Sequence, residues 1–179
     1  MDPRLPRAIA AMAALVRADM ANPVTPEAPT NTVSEATRQA MAVATQLTRG
    51  PGGAHAIRSG EWHAPAASAL DRLLCAVPIG IAMSTLDPEA LADTVWAACG
   101  CTTRNEFQAA ALLATAVSLS IEPRDIHLVE AVQIVSDMTP RGKPEDGPDV
   151  LTATRLALNF QANSVRVDSY VPINPLTRK

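Results

Sequence analysis

The amino-acid sequence predicts an all-α protein, a compact domain of about seven helices that spans residues 1–179. Apolar residues recur at helical spacing through most of the chain, and capping patterns precede several of these segments. Of the 179 residues, 33 are Ala, which has the highest helix propensity of all residues. With 47% hydrophobic and 18% charged residues, the chain can bury one sizeable core and is not of the disordered type.

Helix boundaries are predicted from caps, prolines and glycines. A capping box of Thr32 and Glu35 (Asn31 is the alternative cap) and one of Thr103 and Glu106 open two helices. Asp87 followed by proline opens another. In chain order, we predict a helix over 5–20, a loop over 21–31, a helix over 32–48, a polar loop over 50–65, a helix over 66–81 broken or bent at Pro78, helices over 88–99, 104–121 and 122–138, a loop over 139–149, a helix over 150–162 capped by Asp149, and an extended tail over 165–179.

The composition excludes several classes of partner. A net charge of −3 argues against a phosphate-binding surface, and 3% aromatic residues leave few stacking platforms, so no nucleic acid is expected. No apolar run approaches the roughly 20 residues of a membrane helix, so no membrane is expected either. The N-terminus does not resemble a signal peptide, and three cysteines are an odd number. A reducing cytoplasm is therefore the predicted location.

Three stretches in the middle of the chain share their pattern with one enzyme family. They are Leu74-Cys75-Ala76-Val77-Pro78-Ile79-Gly80-Ile81, Leu86-Asp87-Pro88-Glu89-Ala90-Leu91-Ala92, and Cys101-Thr102-Thr103-Arg104-Asn105-Glu106 followed by an Ala-rich helix. Together with the helix upstream, residues 33–121 resemble the ADP-ribosylglycohydrolases. The corresponding motifs of that family are Met-Arg-x-Ala-Pro-Leu-Gly-Leu, Asp-Pro-Glu-x-Leu and Thr-His-x-His-Pro-Glu. The resemblance implies a helical core and hydrolysis of the N-glycosidic bond to ADP-ribose.

The chain departs from this family at the positions that carry the chemistry. The family binds two Mg²⁺ ions through a Thr/Ser-Asp-Asp run and a Gly-Gly-Asp-x-Asp run, and neither run is present. Leu70-Asp71 replaces an Asn-Gly, Cys75 stands at the Arg position, and Thr102 and Arg104 stand at the two His positions. A two-metal site needs several convergent carboxylates. The resemblance therefore implies a shortened, degenerate member without a metal or another cofactor.

The candidate catalytic residues lie in two segments. Glu61 and His63 form an acid–imidazole pair suited to general acid–base work, and Trp62 between them can cover a ligand, with His55 nearby in the same polar loop. The alternative is a loop anchored by a buried Trp62, with Glu61 and His63 in water. Asp71 is the third candidate, close to the pocket that the resemblance implies. Its alternative is a surface ion pair with Arg72, which is worth little energy.

The cysteines allow three interpretations. Cys99 and Cys101, with Cys75 and a histidine (His63 or His127), would bind a soft metal ion, although the one-residue gap is not the usual zinc spacing. Cys101 alone precedes a helix N-terminus, where the helix dipole would lower its pKa and activate it. The third interpretation is that all three are small buried core thiols.

The segment before the helix at residue 104 can hold an anion. Thr102, Thr103, Arg104 and Asn105 surround a helix N-terminus, where free backbone N–H groups face a phosphate or carboxylate. Simple capping by Thr103 is the alternative, and both can hold at once. We therefore count Cys75, Cys101, Thr102, Arg104 and Asn105 among the ligand-binding candidates.

Three functional hypotheses follow from these candidates. In the first, a pocket framed by residues 55–63, 71–75 and 101–105 binds a small polar molecule, nucleotide- or sugar-like, or acts on it by metal-independent acid–base chemistry. In the second, the chain is a non-catalytic structural or regulatory subunit of a homo- or hetero-oligomer, docked through Ala-rich faces and the apolar tail. In the third, another chain supplies the missing acidic residues of a half-enzyme.

Overall fold

The computed structural model describes residues 4–21, 33–63, 68–83, 87–122 and 128–168, and they form an all-α fold. Within these ranges the only β-type pairing is an isolated bridge between Thr103 and Lys143. The all-α prediction is thus confirmed, with nine helices among the described residues where about seven were expected. The helices are α1 (Arg4–Ala21), α2 (Glu35–Leu47), α3 (Pro51–Arg58), α4 (Ala69–Leu73), α5 (Ala76–Ala82), α6 (Pro88–Cys99), α7 (Arg104–Ile121), α8 (Leu128–Asp137) and α9 (Val150–Asp168).

The core is built around the contact between α5 and α7. Gly80 of α5 lies so close to α7 that a Cβ atom there would be 2.2 Å from the carbonyl oxygen of Ala114. The Ala-rich helix α7 presents a face of small side chains to this contact, and all four are buried: Ala110, Ala111, Ala114 and Ser118. Small side chains on both helices allow their backbones to touch, and helices α2, α6 and α8 add larger apolar residues around this contact.

Three of the predicted helix starts are confirmed by their hydrogen bonds. The Asp87 carboxylate accepts from the backbone N–H of Ala90 at 3.1 Å, with Pro88 as the first helical residue. Thr103 and Glu106 form the predicted capping box of α7. At the last helix, Asp149 accepts from the backbone N–H of Thr152 at 2.8 Å. Each satisfies a backbone donor that the helix itself leaves unpaired.

The predicted loop over residues 50–65 is partly wrong, because α3 occupies Pro51–Arg58. Pro51 in the Gly-Pro-Gly-Gly stretch stands at the first helical position, where its fixed φ favours a helix and its missing N–H costs nothing. The helix packs against the core through the buried side chain of Ile57. His55 therefore lies on a helix and not in a loop.

Three other boundaries also differ from the prediction. The N-cap of α2 is Ser34, which accepts from the backbone N–H of Thr37, so the capping box with Glu35 as its third residue is wrong. The break before α5 falls at residues 74–75, and Pro78 lies in the first turn of α5, where no N–H donor is required. Residues 165–168 are helical where an extended tail was expected, because the described chain offers them no strand to pair with. Residues 169–179 lie outside the described residues.

Candidate functional site

A cavity of about 300 Å³ lies where α4 meets the junction of α6 and α7. Its floor comes from small side chains of α7, and its polar rim comes from α4 and from the turn between α6 and α7. The lining residues are Arg72, Leu73, Cys99, Cys101, Asn105, Glu106, Ala109 and Ala110. Two of the predicted ligand-binding residues, Cys101 and Asn105, are thus brought to one cavity.

The turn at Gly100 positions the two thiols of this cavity. Gly100 ends α6 in the left-handed conformation, with φ 55°, which residues with a side chain rarely adopt. The backbone N–H of Cys101 donates back to the carbonyl of Trp96 at 3.3 Å. The chain reverses direction there, so Cys99 and Cys101 both face the cavity. Each of the two thiols affects the pKa of the other.

Arg72 is the principal charged group of the site. It is half-buried, and its Nε is buried without a hydrogen-bond partner. Among the described residues, no ion pair of its guanidinium is found, and the predicted pair with Asp71 is not formed. The Asp71 carboxylate instead accepts from the Ser68 hydroxyl at 2.6 Å. Arg72 therefore keeps its hydrogen-bonding capacity toward the cavity that it lines.

Burial and hydrogen bonding set the pKa values of the three thiols in different directions. Burial raises the pKa of Cys75 to about 11 in spite of the nearby Arg72. The pKa of Cys101 is lowered, chiefly by the hydrogen bond from Cys99, and that same bond raises the pKa of Cys99 well above its ordinary value. Of the three, Cys101 is therefore the thiol that most readily becomes a thiolate, and the main cause is its neighbour Cys99 and not the helix dipole that the sequence suggested.

The N-terminus of α7 already carries carboxylates of the chain itself. One oxygen of Glu106 accepts from the backbone N–H groups of Thr102 and Thr103 at 2.7 and 3.2 Å, and from the Thr102 hydroxyl at 2.9 Å. Glu145 accepts from the backbone N–H of Asn105 at 3.1 Å. These bonds, that of Thr102 first, hold the pKa of Glu106 below its ordinary value. The carboxylates of Glu106 and Glu145 thus occupy the position where an external anion was predicted.

The remaining side chains of the predicted anion site have separate roles. The Asn105 side-chain oxygen accepts from the backbone N–H of Val150 at 3.2 Å, which joins α7 to the start of α9. Thr102 is exposed, and Arg104 is half-buried with an unpartnered Nε. Neither Thr102 nor Arg104 lines the cavity.

The predicted acid–base residues lie away from this cavity. Glu61 and His63 are exposed, and neither lines it, nor do His55, Trp62 and Asp71. Trp62 is half-buried and packs against the hydrophobic core, while its backbone N–H donates to Ala56 at 3.0 Å. This arrangement corresponds to the alternative interpretation, in which Trp62 anchors the segment and its two neighbours face water.

No metal centre is formed by the part of the chain that the structure describes. There, no group of three or more His, Cys, Asp or Glu side chains is arranged to hold an ion. Cys75 is fully buried and does not line the cavity, and its free thiol belongs to the hydrophobic core. His127, one of the two histidines considered as a further ligand, lies outside the described residues.

Sequence reasoning missed the two residues that contribute most charge to the cavity. Arg72 was considered only as the partner of Asp71, and Glu106 only as a capping residue. A signal was present in the small residues of α7 at 109 and 110, which follow Asn105 and Glu106 by one helical turn and so share their face. What the sequence could not show is that α4 crosses this face of α7.

Comparisons with protein-family models, with curated proteins and with solved structures found no match to this chain. The resemblance of residues 33–121 to ADP-ribosylglycohydrolases therefore rests on the motifs alone. None of the described helices combines the length and the apolar character that a membrane span requires.

Proposed function

We propose that this chain binds a small anionic molecule, sugar- or nucleotide-like, in the cavity beside Arg72, without a metal ion. The observation that carries this proposal is the buried, unpartnered Nε of Arg72 at a cavity of about 300 Å³. A buried Nε–H of a guanidinium that lacks hydrogen-bond partners is costly, and each such group calls for an explanation. A phosphate or carboxylate would supply those partners in the bidentate geometry that arginine favours.

The size and lining of the cavity narrow the ligand class. About 300 Å³ is at the low end of the roughly 300–1,000 Å³ that small-molecule pockets span, which favours a compact ligand. Apart from Arg72, the residues that line it are mostly small or apolar. They suit the carbon skeleton of a sugar phosphate, with its charged end on Arg72.

Binding is favoured over acid–base catalysis at this cavity. The predicted acid–base pair, Glu61 and His63, lies elsewhere on the surface. The carboxylate that does line the cavity, Glu106, is held ionised by three hydrogen bonds and is engaged in capping α7. In this proposal, the chain is a diverged relative of the ADP-ribosylglycohydrolases that keeps a ligand pocket without the dimetal chemistry, and its three free thiols suit a cytoplasmic location.

Isothermal titration calorimetry with ribose 5-phosphate and with inorganic phosphate tests this proposal. We expect the wild-type protein to bind ribose 5-phosphate and the Arg72→Met variant to bind it at least roughly tenfold more weakly, since a charge-assisted hydrogen bond contributes about 1.5–3 kcal/mol. Arg38→Met is the matched control, because Arg38 is an exposed residue of α2 whose ion pair with Glu35 lies outside the cavity. Absence of binding, or equal binding by all three proteins, would contradict the proposal.

A second observation favours the subunit hypothesis. An apolar groove of about 710 Å³ runs between α1, α2 and α5, and among the described residues that line it Arg17 alone is charged. Ile9 and Met41 on its two sides are 61% and 48% exposed. Open apolar surface of this kind marks an interaction site more often than a free surface.

The occupant that we propose for this groove is a second copy of the chain. Helices α8 and α9 expose the large apolar side chains of Leu128, Val129 and Leu156, and we propose that these side chains face the groove of a neighbouring copy. Such a contact joins two different faces and builds rings or chains of copies. Each copy therefore carries both the groove and the apolar side chains that would enter the groove of the next copy.

Light scattering coupled to size-exclusion chromatography tests the subunit hypothesis over a range of concentrations. We expect the wild-type protein to associate, and either Met41→Asp or Val129→Asp to return it to the monomer. Thr45→Asp is the matched control, because Thr45 is exposed on the same helix as Met41 but does not line the groove. A wild-type protein that stays monomeric throughout would contradict this hypothesis.

A further inference from the structure

The turn between α6 and α7 brings two thiols together at the wall of the cavity. Cys99 and Cys101 are separated only by Gly100, and both line the cavity. With Gly100 in a left-handed helical conformation, helix dimensions put the Cα atoms on either side of it about 5.4 Å apart. That distance falls within the roughly 4.4–6.8 Å that disulfides span. The backbone is thus compatible with a bond between them.

Small molecules can reach these two thiols through the cavity, although both side chains are almost completely buried. Cys99 and Cys101 are only 4% and 7% exposed, yet both line the cavity. Cys75 is fully buried and does not line it. A small reagent that enters the cavity therefore meets the first two thiols and not the third.

The surroundings of the pair assign different roles to its two members. Arg72 lines the same cavity, and its positive charge favours a thiolate at either cysteine, whereas the Glu106 carboxylate opposes a thiolate at Cys101. The hydrogen bond from Cys99 lowers the pKa of Cys101, while Cys99 itself keeps its proton. A thiolate is the nucleophile of disulfide exchange, and a neighbouring thiol is what resolves the product.

We propose that Cys99 and Cys101 form a redox-active dithiol that exchanges with small organic disulfides entering the cavity. The Cys101 thiolate attacks one sulfur of the disulfide, forming a mixed disulfide and releasing one thiolate. Cys99 then loses its proton and attacks the Cys101 sulfur, which closes the Cys99–Cys101 disulfide and releases the second thiolate. In sum, the protein loses two electrons and two protons, and the small disulfide is reduced to two thiols. This activity shares the cavity with the proposed function but does not rest on anion binding.

The test uses the reduced full-length protein and bis(2-hydroxyethyl) disulfide, a neutral probe, under native conditions without oxygen. We expect the intact mass to fall by that of two hydrogen atoms. Alkylation after denaturation should then label Cys75 alone. The Cys75→Ser variant is the matched control, and it should lose two hydrogens as the wild type does.

Single variants separate the two roles. Cys99→Ser should trap half of the probe on Cys101, because no resolving thiol remains, whereas Cys101→Ser should stay largely unmodified. A wild-type protein that remains reduced while dithiothreitol is oxidised by the same probe would overturn the proposal. Oxidation that consumes Cys75, or equal trapping in both single variants, would overturn it as well. Since the probe carries no charge, failure of ribose 5-phosphate binding leaves this result unaffected, so the two proposals fail separately.

Discussion

Replacing Gly80 by alanine perturbs the close contact between α5 and α7. A Cβ atom at this position would lie 2.2 Å from the Ala114 carbonyl oxygen and 2.9 Å from the Val117 Cβ atom. The first of these neighbours is backbone, so it cannot rotate away, and α5 must move off α7. Overpacking typically costs about 1–3 kcal/mol, and a backbone neighbour puts this case at the upper end.

The helix propensity of alanine offsets part of this cost. Alanine within a helix is favoured over glycine by about 0.5–1 kcal/mol, so we expect a net loss of about 2 kcal/mol for Gly80→Ala. For a chain of this size, that loss corresponds to a decrease in Tm of about 4–8 °C. Gly52→Ala is the matched control, because Gly52 lies in α3 with open space around its position. The free energy of unfolding of the Gly52→Ala variant should rise by about 0.5–1 kcal/mol.

Urea unfolding followed by circular dichroism and by tryptophan fluorescence measures both variants. A Gly80→Ala protein as stable as the wild type would refute the close approach of α5 and α7. Equal losses in the two variants would show that alanine is unfavourable for a reason other than that contact.

Three further predictions concern charges and thiols. Glu106→Gln should cost about 1 kcal/mol at neutral pH. The pKa of Glu106 is lowered from 4.5, chiefly by the hydrogen bond from the Thr102 backbone N–H. The ionised carboxylate therefore stabilises the fold fully above pH 4.5, and this stabilisation is lost as the pH falls through the folded-state pKa. In a plot of the free energy of unfolding against pH, the variant should fall less steeply than the wild type on the acid side. Arg141→Met removes ion pairs to Glu89 at 2.9 Å and to Asp93 at 2.7 Å, together with a cation–π contact to Phe107. In urea unfolding, this variant should lose about 1 kcal/mol of stability, and the loss should be smaller at high salt because salt screens the ion pairs. Iodoacetamide under native conditions should modify Cys101 before Cys75, whose pKa burial raises to about 11, and peptide mapping would detect the reverse order.

The features that local chemistry determines were predicted well from the sequence. The capping box at Thr103 and the Asp87-Pro88 start depend on side chains within a few residues, and both formed as predicted. The close packing of α7 followed from its row of small residues. The same local logic failed at residues 50–58, because a proline after glycine both ends one helix and suits the first turn of the next.

The candidate site was harder to predict because it depends on which helices cross. Glu61, Trp62 and His63 are adjacent in sequence, and that adjacency suggested a site, but Trp62 turns toward the core while its neighbours face water. Arg72 and Cys99 are distant in sequence and meet only because α4 packs across the end of α6. Nothing in the spacing of single residues encodes that crossing.

The two proposed functions occupy separate parts of the fold and need not compete. The cavity belongs to α4, α6 and α7, whereas the groove belongs to α1, α2 and α5, and they share no lining residue. Substitutions at sites that share no partners usually act independently. Arg72→Met should therefore leave the association state unchanged, and Met41→Asp should leave ribose 5-phosphate binding unchanged. If either substitution altered both properties, association and ligand binding would be coupled through the contacts that join the two sets of helices, of which the contact between α5 and α7 is the most extensive.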